Sequence, residues 1–406
     1  MDTPGTRMDV EEELTRPSHP TPRAITLAKA VIFIAISTTM LGVGVIAPLM
    51  PVYAQQMGAS GVWLGLIFAS FATTRMIFTP LFGRVSDRFG RKWFLFGGLC
   101  AYTVLSFGYI TAASVYHLAV LRLAHGLSSA LVVPIAFAYI GDLATSGEEG
   151  RQMSFANLSI FVGMGVGPYL GGRLADEFGI RSTFWALFIL GLAASALVLA
   201  FLPDMRPGRR RDEKLPPTFR DMLSNNMVKG LLTIRAGSAV RRAIIMAFLP
   251  VFAEYLHLTK THMGLMISAF IVTAALVQYP SGVLADRFDR IRIVLLGEIL
   301  ATVTFALFPF VTGFPQLLAV GLAAGVAGGL SMPSILAINV QVGRDYGMAS
   351  MMGLYDAAMG FGMLFGALTS GVVMDVAGVR AIFYYGAVLG LFGIIVFAMF
   401  SRRRPG

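Results

Sequence analysis

Twelve apolar runs, each long enough to cross a membrane as a helix, make up most of this 406-residue chain. A helix that crosses the bilayer needs about 20 apolar residues, and its backbone groups must bond within the segment. Hydrophobic residues account for 56% of the chain and charged residues for 13%, about half the charged share of a soluble domain. This excludes a soluble enzyme, a disordered chain and a disulfide-stapled secreted module. We predict an all-α membrane protein whose twelve transmembrane helices lie near 27–52, 60–82, 93–113, 117–140, 152–175, 182–202, 230–255, 263–282, 292–312, 316–339, 350–372 and 380–401.

The distribution of basic residues predicts how these helices are oriented. Twelve crossings leave both termini on one side, and the loops on the other side contain only Arg173, Arg181, Lys260 and Arg380 of the 32 lysines and arginines. Because cytoplasmic loops carry the excess of Lys and Arg, both termini are expected in the cytoplasm, beneath a plasma (inner) membrane. Topology thus accounts for the net charge of +10, and nucleic acid is not expected as a partner.

An internal repeat relates residues of the first half to residues 199 positions later. The spacing holds without a gap from Pro51 and Pro250 to Phe184 and Phe383. It predicts two pseudo-symmetric six-helix halves, with a substrate site at their interface near the membrane midplane. The expected organisation is a tail at 1–24, a bundle at 25–202, a basic cytoplasmic linker at 203–229, a bundle at 230–401 and a tail at 402–406.

The loops that follow the second and eighth runs carry related sets of glycines and charges. The first set is Gly83, Asp87, Arg88, Gly90, Arg91 and Lys92, and the second is Gly282, Asp286, Arg287 and Arg290. The first closely resembles motif A of the major facilitator superfamily, and the second is similar to its degenerate copy. The resemblance implies the twelve-helix fold of that superfamily and a latch between the halves on the cytoplasmic side, with Asp87 facing the start of the eleventh helix. The alternative is that these charges only hold short loops in water.

The fifth run contains a glycine series that is interrupted by a proline. Its members are Gly163, Gly167, Pro168, Gly171 and Gly172. Stacked glycines let another helix approach closely, and proline permits a bend. The series resembles motif C, which the superfamily's drug–proton antiporters carry, and so it implies export. Ordinary small-residue packing is the alternative.

Two acids lie deep inside predicted helices, where an ionisable group is a candidate for function. Asp356 lies in the eleventh run and Glu298 in the ninth, and the repeat places neutral Asn157 and Leu99 opposite them. We predict proton-coupling roles for Asp356 and Glu298, and a position in the substrate cavity for Asn157. Permanent pairing of the acids with arginine is the alternative.

Basic residues inside the helices suggest where these acids find partners. Arg122 and His125 share one face of the fourth run and resemble motif B, where the superfamily links an arginine to proton coupling. His125 stands where glutamine is common, and we expect it to line the cavity. In the seventh run, Arg241 and Arg242 lie too deep to reach the surface and are cavity candidates. They need either Asp356 and Glu298 or an anionic substrate, unless the helix boundary is misdrawn.

These features predict a secondary transporter that moves small organic molecules by alternating access, by proton-coupled efflux (antiport). An importer or exchanger of organic anions that uses the arginines of the fourth and seventh helices is the alternative, and a non-transporting sensor or scaffold is a remote one. No enzyme activity, cofactor or metal is expected. The expected partners are a small-molecule substrate, the proton and the lipid bilayer, with the chain acting as a monomer.

Overall fold

Helices account for every regular element in the computed structural model, which describes residues 22–143, 149–204, 219–346 and 348–402. No strand occurs within those residues. The prediction of an all-α fold is confirmed. Residues 1–21 of the tail predicted at 1–24, residues 403–406 of the tail predicted at 402–406 and most of the predicted linker lie outside the described residues.

Fourteen α-helices follow one another in the described chain. In the first half they are α1 (Pro22–Gln55), α2 (Gly61–Phe89), α3 (Lys92–Thr111), α4 (Val115–Leu143), α5 (Glu149–Phe178) and α6 (Ile180–Phe201). The short α7 (Phe219–Ser224) precedes the second half. That half comprises α8 (Asn226–Ala247), α9 (Leu249–Tyr255), α10 (Lys260–Arg287), α11 (Arg290–Leu307), α12 (Phe314–Tyr346), α13 (Met348–Ala377) and α14 (Ala381–Arg402). Helix α7 and the start of α8 therefore occupy part of the segment that was predicted as linker.

Eleven of the described helices are long and apolar enough to cross a membrane, and the bent pair α8–α9 makes a twelfth if it is one span. The pair bends by 42° at Phe248, where the sequence predicted a continuous helix. Pro250 lies at the start of α9 and cannot donate the backbone hydrogen bond that would continue α8. With twelve crossings, the chain begins and ends on one side, which we call the terminal side. The opposite side is the far side.

The two halves repeat the same helix packing. In the first, α1 packs on α5, α2 on α4 and α3 on α6; in the second, α8 packs on α13, α10 on α12 and α11 on α14. The halves meet where α5 packs on α10 and where α13 packs on α2. These two contacts are also related by the repeat, so the interface has the same pseudo-symmetry as the bundles.

The largest buried apolar cluster joins the halves near the far side. It contains Tyr53 and Phe184 from the first half and Phe252 and Phe383 from the second. Tyr53 packs on Phe184 with ring centroids 5.6 Å apart, and Phe252 packs on Phe383 at 5.0 Å. Burial of aromatic side chains is a large favourable term in packing, so the core holds the far side of the interface closed.

Candidate functional site

The helix contacts between the halves are closest near the far side. A β-carbon at Gly61 of α2 would lie 2.5 Å from the carbonyl oxygen of Gly371 in α13. A β-carbon at Gly172 of α5 would overlap the carbonyl of Lys260 in α10, and one at Gly264 would overlap that of Pro168. Only glycine permits such close approach of two backbones. These positions therefore determine how tightly the far side closes.

The glycine series of α5 lies between α1 of its own half and α10 of the other. Gly163 and Gly167 meet the backbone of α1, where added β-carbons would lie 2.6 Å from Ser37 O and 2.8 Å from Leu41 O. Gly171 packs on Val45 of the same helix. Gly172 and the Pro168 carbonyl instead face α10, whereas the Pro168 ring lies against Gly44 of α1. The series thus joins the packing within one bundle to the contact between the two bundles.

Two aspartates connect the halves at the far side by capping helices of the opposite bundle. Asp375, near the end of α13, accepts hydrogen bonds from the backbone N–H groups of Gly61 (2.7 Å) and Val62 (2.9 Å) at the start of α2. Asp176, near the end of α5, accepts from the N–H groups of Lys260 (3.2 Å) and Thr261 (2.7 Å) at the start of α10. The repeat relates the two arrangements residue by residue. A carboxylate is favoured at a helix N-terminus, so both caps stabilise the closed far side.

Polar side chains are exposed inside spans on the terminal side of these contacts. The Asp356 side chain is 73% exposed, although it lies about 12 Å along α13. Arg242 of α8 and Asn157 of α5 are also exposed. Charged groups within a membrane span avoid lipid and face protein or water. We therefore locate these residues at an aqueous opening between the halves, which we call the central opening.

Asp356 lies beside Arg235 of its own half and within electrostatic range of Arg75 of the other half. Its Oδ1 is 4.0 Å from Nη2 of Arg235 in α8, and its charge acts on Arg75 in α2. The Arg235 guanidinium lies over the ring of Tyr355, 4.3 Å from its centroid, and Nη2 lies 2.8 Å from Met359 Sδ. The Arg235 side chain is only 14% exposed, and these contacts hold its guanidinium in place.

Arg241 and Arg242 point to different surroundings. Arg241 forms an ion pair with Glu298 of α11, and both side chains are buried. The Ser238 hydroxyl donates to Glu298 Oε1 at 3.2 Å. Adjacent residues lie about 100° apart around a helix, so Arg242 faces the central opening while Arg241 faces the interior of the second bundle. Of the predicted cavity arginines, only Arg242 lies at the opening, and Glu298 lies away from it.

Arg122 and His125 are buried inside the first bundle. The Arg122 guanidinium lies 5.2 Å and 4.6 Å from the ring centroids of Phe68 and Phe71. The Tyr109 hydroxyl is 3.4 Å from His125 Nδ1. Within the described chain, Nε and Nη1 of Arg122 and Nε2 of His125 have no hydrogen-bond partner. His125 is therefore enclosed by aromatic side chains, whereas the sequence predicted it at the cavity.

Comparison with known proteins agrees with this architecture. The sequence pattern of the Major Facilitator Superfamily matches residues 32–240 and 231–406. The chain belongs to this superfamily. It is 30% identical over 378 residues to an MFS-type transporter of Methanocaldococcus jannaschii, covering 92% of this chain and 98% of that protein. It is 26% identical over 360 residues to multidrug resistance protein 1 of Bacillus subtilis, covering 87% and 91%.

A solved structure shares the fold at low sequence identity. It is a bacterial homologue of the human lysosomal transporter Spinster in an inward-facing, unoccupied conformation. The TM-score is 0.80 at 14% identity, with 95% of this chain and 98% of that chain covered. The family match and the 30% identical relative, and not this structure, identify the chain as a multi-pass membrane transporter of the major facilitator superfamily, and not an enzyme.

The residues that resemble the superfamily's motif A lie at the terminal side. Gly90 follows the last residue of α2 and has a φ of 91°, which favours glycine. Arg91 Nε binds Asp142 Oδ2 of α4 at 2.5 Å. Lys92 begins α3, with its ammonium group 6.0 Å from the Trp93 ring. A β-carbon at Gly83 would meet nothing within 4 Å. The side chains of Asp87 and Arg88 are not among those described, so their latch role stays a prediction.

The second copy of this motif is simpler. Arg290 Nη2 lies 3.7 Å from Asp286 Oδ1, and its Nε donates to the carbonyl of Ala285 at 3.1 Å. Arg287 is exposed, and Gly282 has Pro333 at 4.0 Å from an added β-carbon. The described contacts of this copy stay within the second bundle.

Sequence reasoning missed three functional candidates of this transporter. It aligned Asp176 with Asp375 through the repeat but gave neither a role. It also assigned no role to Arg235, which lies beside Asp356. The sequence did offer one signal for the aspartates, because the repeat places an aspartate at the same position in both halves. Only the contacts in the structure identify the helices that these aspartates cap.

Proposed function

We propose that this chain exports small organic molecules across the plasma (inner) membrane by alternating access, in exchange for protons. The observation that carries the proposal is Asp356, an exposed carboxylate inside a span, 4.0 Å from Arg235. An acid within a transporter span is a natural proton-binding group. Opposite unit charges 4 Å apart attract by about 1 kcal/mol in water and about 4 kcal/mol near a protein surface. Protonation of Asp356 would weaken this attraction within the second half and also its interaction with Arg75 of the first half, which would let the halves rearrange.

The orientation follows from the positive-inside rule. If both termini are cytoplasmic, the central opening faces the cytoplasm and Asp176 and Asp375 close the outer side. Substrate would enter from the cytoplasm, and the outer contacts would break to release it. Asp87 would then latch the cytoplasmic side. We expect the monomer to suffice, because the described opening is built from the two halves of one chain.

Export is supported by α5 and by the relatives. The glycine series of α5 packs on both α1 and α10, so it links the packing inside the first bundle to the outer contact between the halves. One relative is named a multidrug resistance protein.

We assign Arg122 the role of responding to the proton. Phe71, on which its guanidinium lies, is one helical turn from Arg75, whose charge interacts with Asp356. Glu298 is a less favoured proton carrier, since Arg241 occupies its carboxylate.

Import or exchange of organic anions is a second candidate, and one observation favours it. Arg242 is exposed at the central opening. An importer driven by the proton gradient would move the anion and the proton in the same direction, whereas an exporter that exchanges them moves them in opposite directions. The direction of proton flow during transport distinguishes the two.

The test uses purified protein in liposomes that contain a pH-sensitive dye, with 2-naphthylmethylammonium and 2-naphthoate as radiolabelled probes. We expect an imposed proton gradient to drive accumulation of a probe against its own gradient, with protons moving in the opposite direction. Asp356→Asn should abolish the gradient-driven part and preserve exchange of the probe. Glu177→Gln, which removes an exposed acid paired with Arg173, is the matched control. Full proton-driven accumulation by Asp356→Asn would refute the assignment.

A further inference from the structure

We infer that the central opening binds an organic anion through Arg242, together with Arg75 and Arg235. The inference rests on the proposed function only in that a small molecule passes through this opening. It names the chemical class of that molecule from the charges around it. It also replaces the pair suggested by sequence, Arg241 and Arg242, with three arginines from both halves.

Arg242 has no anionic partner among the described residues. Its side chain is exposed in the middle of α8, and its guanidinium forms no hydrogen bond or ion pair within the part of the chain that the structure describes. Glu298 of α11, the acid that faces the neighbouring Arg241, is engaged by Arg241 and Ser238. Arg242 is therefore available to a ligand, whereas Arg241 is not.

The described part of the central opening has three guanidinium groups and one carboxylate, that of Asp356. Arg242 interacts electrostatically with Arg235 and with Arg75, and Asp356 interacts with both of the latter. Arg75 also lies next to Met76, which contacts α13 at Gly360, one turn beyond Asp356. Among the described groups of the opening, positive charge therefore exceeds negative charge by two.

Closure of the opening makes this excess costly. Water now reaches Arg242, but alternating access requires a stage in which both sides are closed and water is expelled. An unpaired charge taken out of water costs several kcal/mol. A carboxylate, sulfonate or phosphate compensates guanidinium charge and can accept two parallel hydrogen bonds from it. An anionic ligand therefore favours the closed stage.

The position of the arginines also links the anion to movement of the halves. Arg75 belongs to the first half, and Arg235 and Arg242 belong to the second. Like charges on facing bundles repel each other, and an anion between them converts that repulsion into attraction. The surroundings of Arg235 are apolar, with Tyr355 and Met359 against its guanidinium. The ligand that fits is an anion that carries an apolar body.

The test compares binding of 2-naphthoate and 2-naphthylmethylammonium, which share an aromatic body and differ in charge, to the full-length protein in lipid nanodiscs. We expect naphthoate to bind at least tenfold more tightly than the cation. Arg242→Gln should weaken naphthoate binding at least tenfold, and Arg75→Gln should weaken it in the same direction. Arg181→Gln removes the same charge from an exposed residue on the far side and should leave binding unchanged. Unfolding temperatures confirm that each variant is folded.

Two results would overturn the inference. One is equal or tighter binding of the cation by the wild-type protein. The other is unchanged naphthoate binding by Arg242→Gln. The proposed function can fail separately. If Asp356→Asn retains proton-driven transport, Asp356 is not the proton carrier, but the anion site is unaffected. If the wild-type protein binds the two probes equally and still couples transport to protons, only the anion site is refuted.

Discussion

The two aspartate caps at the far side predict that neutralising both of them opens that side. The perturbation is the double substitution Asp176→Asn and Asp375→Asn, which preserves side-chain shape and removes two charges. Each carboxylate accepts two backbone N–H groups of a helix in the opposite half, at 2.7 to 3.2 Å. These bonds exist only while the far side is closed, so their loss acts on one conformation and not on the stability of either bundle.

The magnitude follows from the geometry of the caps. A hydrogen bond to a charged group contributes about 1.5–3 kcal/mol and one to a neutral group about 0.5–1.5 kcal/mol. The interaction of a carboxylate with a helix N-terminus contributes about 0.3–1 kcal/mol. Because water reaches most of these bonds, we expect only the lower end of that range, about 1 kcal/mol for each substitution and about 2 kcal/mol for both, since distant sites are additive. A difference of 2 kcal/mol shifts the conformational equilibrium about 30-fold towards the open far side.

The assay measures the distance between the two bundles at the far side. Cys100, the chain's single cysteine, is replaced by serine, and spin labels are attached to cysteines at Ala113 and Thr312. These two positions are exposed, lie in far-side loops and belong to different halves. We expect the double variant to gain a second population at longer distance, and each single variant to gain a smaller one. Glu177→Gln, one residue from Asp176, is the control for a change of charge alone.

An unchanged distance distribution in the double variant would refute the reasoning. The carboxylates would then be surface groups whose hydrogen bonds water replaces at no cost. A longer distance in the Glu177→Gln control would also count against it, because general surface charge would then explain the opening.

Two further substitutions test the packing around this interface. Glu298→Gln should lower the free energy of unfolding by about 3–5 kcal/mol, because Arg241 is left buried without its partner; thermal unfolding measures the loss, and a second change, Arg241→Met, should recover most of it. Failure of that recovery would mean that the pair is not the source of the loss. Gly264→Ala should favour the open far side, because its methyl group overlaps the carbonyl of Pro168 in α5, whereas Gly97→Ala meets nothing within 4 Å and should not change the spin-label distances. Equal distances in Gly264→Ala and the wild type would contradict the close packing.

Much of the fold is predictable from the sequence, because the bilayer limits what an apolar run can do. Runs of sufficient length must be helices, and the repeat relates the packing of one half to that of the other. The break at Phe248 was not predictable, although Pro250 was visible. Its counterpart Pro51 lies inside the unbroken α1, so the same residue gives a bend in one half and none in the other. The surrounding packing decides between them.

The contents of the candidate site were less predictable, because a pairing between distant helices leaves no mark in either helix alone. Arg241 and Arg242 are adjacent and chemically identical, and only the position of α11 shows that Glu298 faces the first and not the second. In the same way, Asp356 and Arg235 were both visible in the sequence, but the sequence did not indicate that they meet. Depth in the membrane can be counted from residue numbers, whereas direction around a helix matters only once its neighbours are known.

The repeat separates two kinds of charged residue in this transporter. Aspartates that cap helices at the far side occur in both halves, as Asp176 and Asp375, and so the gate is built twice. Charges at the central opening occur once, because Asp356 corresponds to Asn157 and Arg242 to Val43. A symmetric gate is useful because both halves must separate together, whereas a binding site for a small, asymmetric molecule and a proton gains nothing from being duplicated. On this reasoning, exchanging the acid between halves, with Asn157→Asp and Asp356→Asn together, should leave the far-side distances unchanged and abolish proton-driven transport. Retained proton-driven transport would show that the acid at the opening can come from either half.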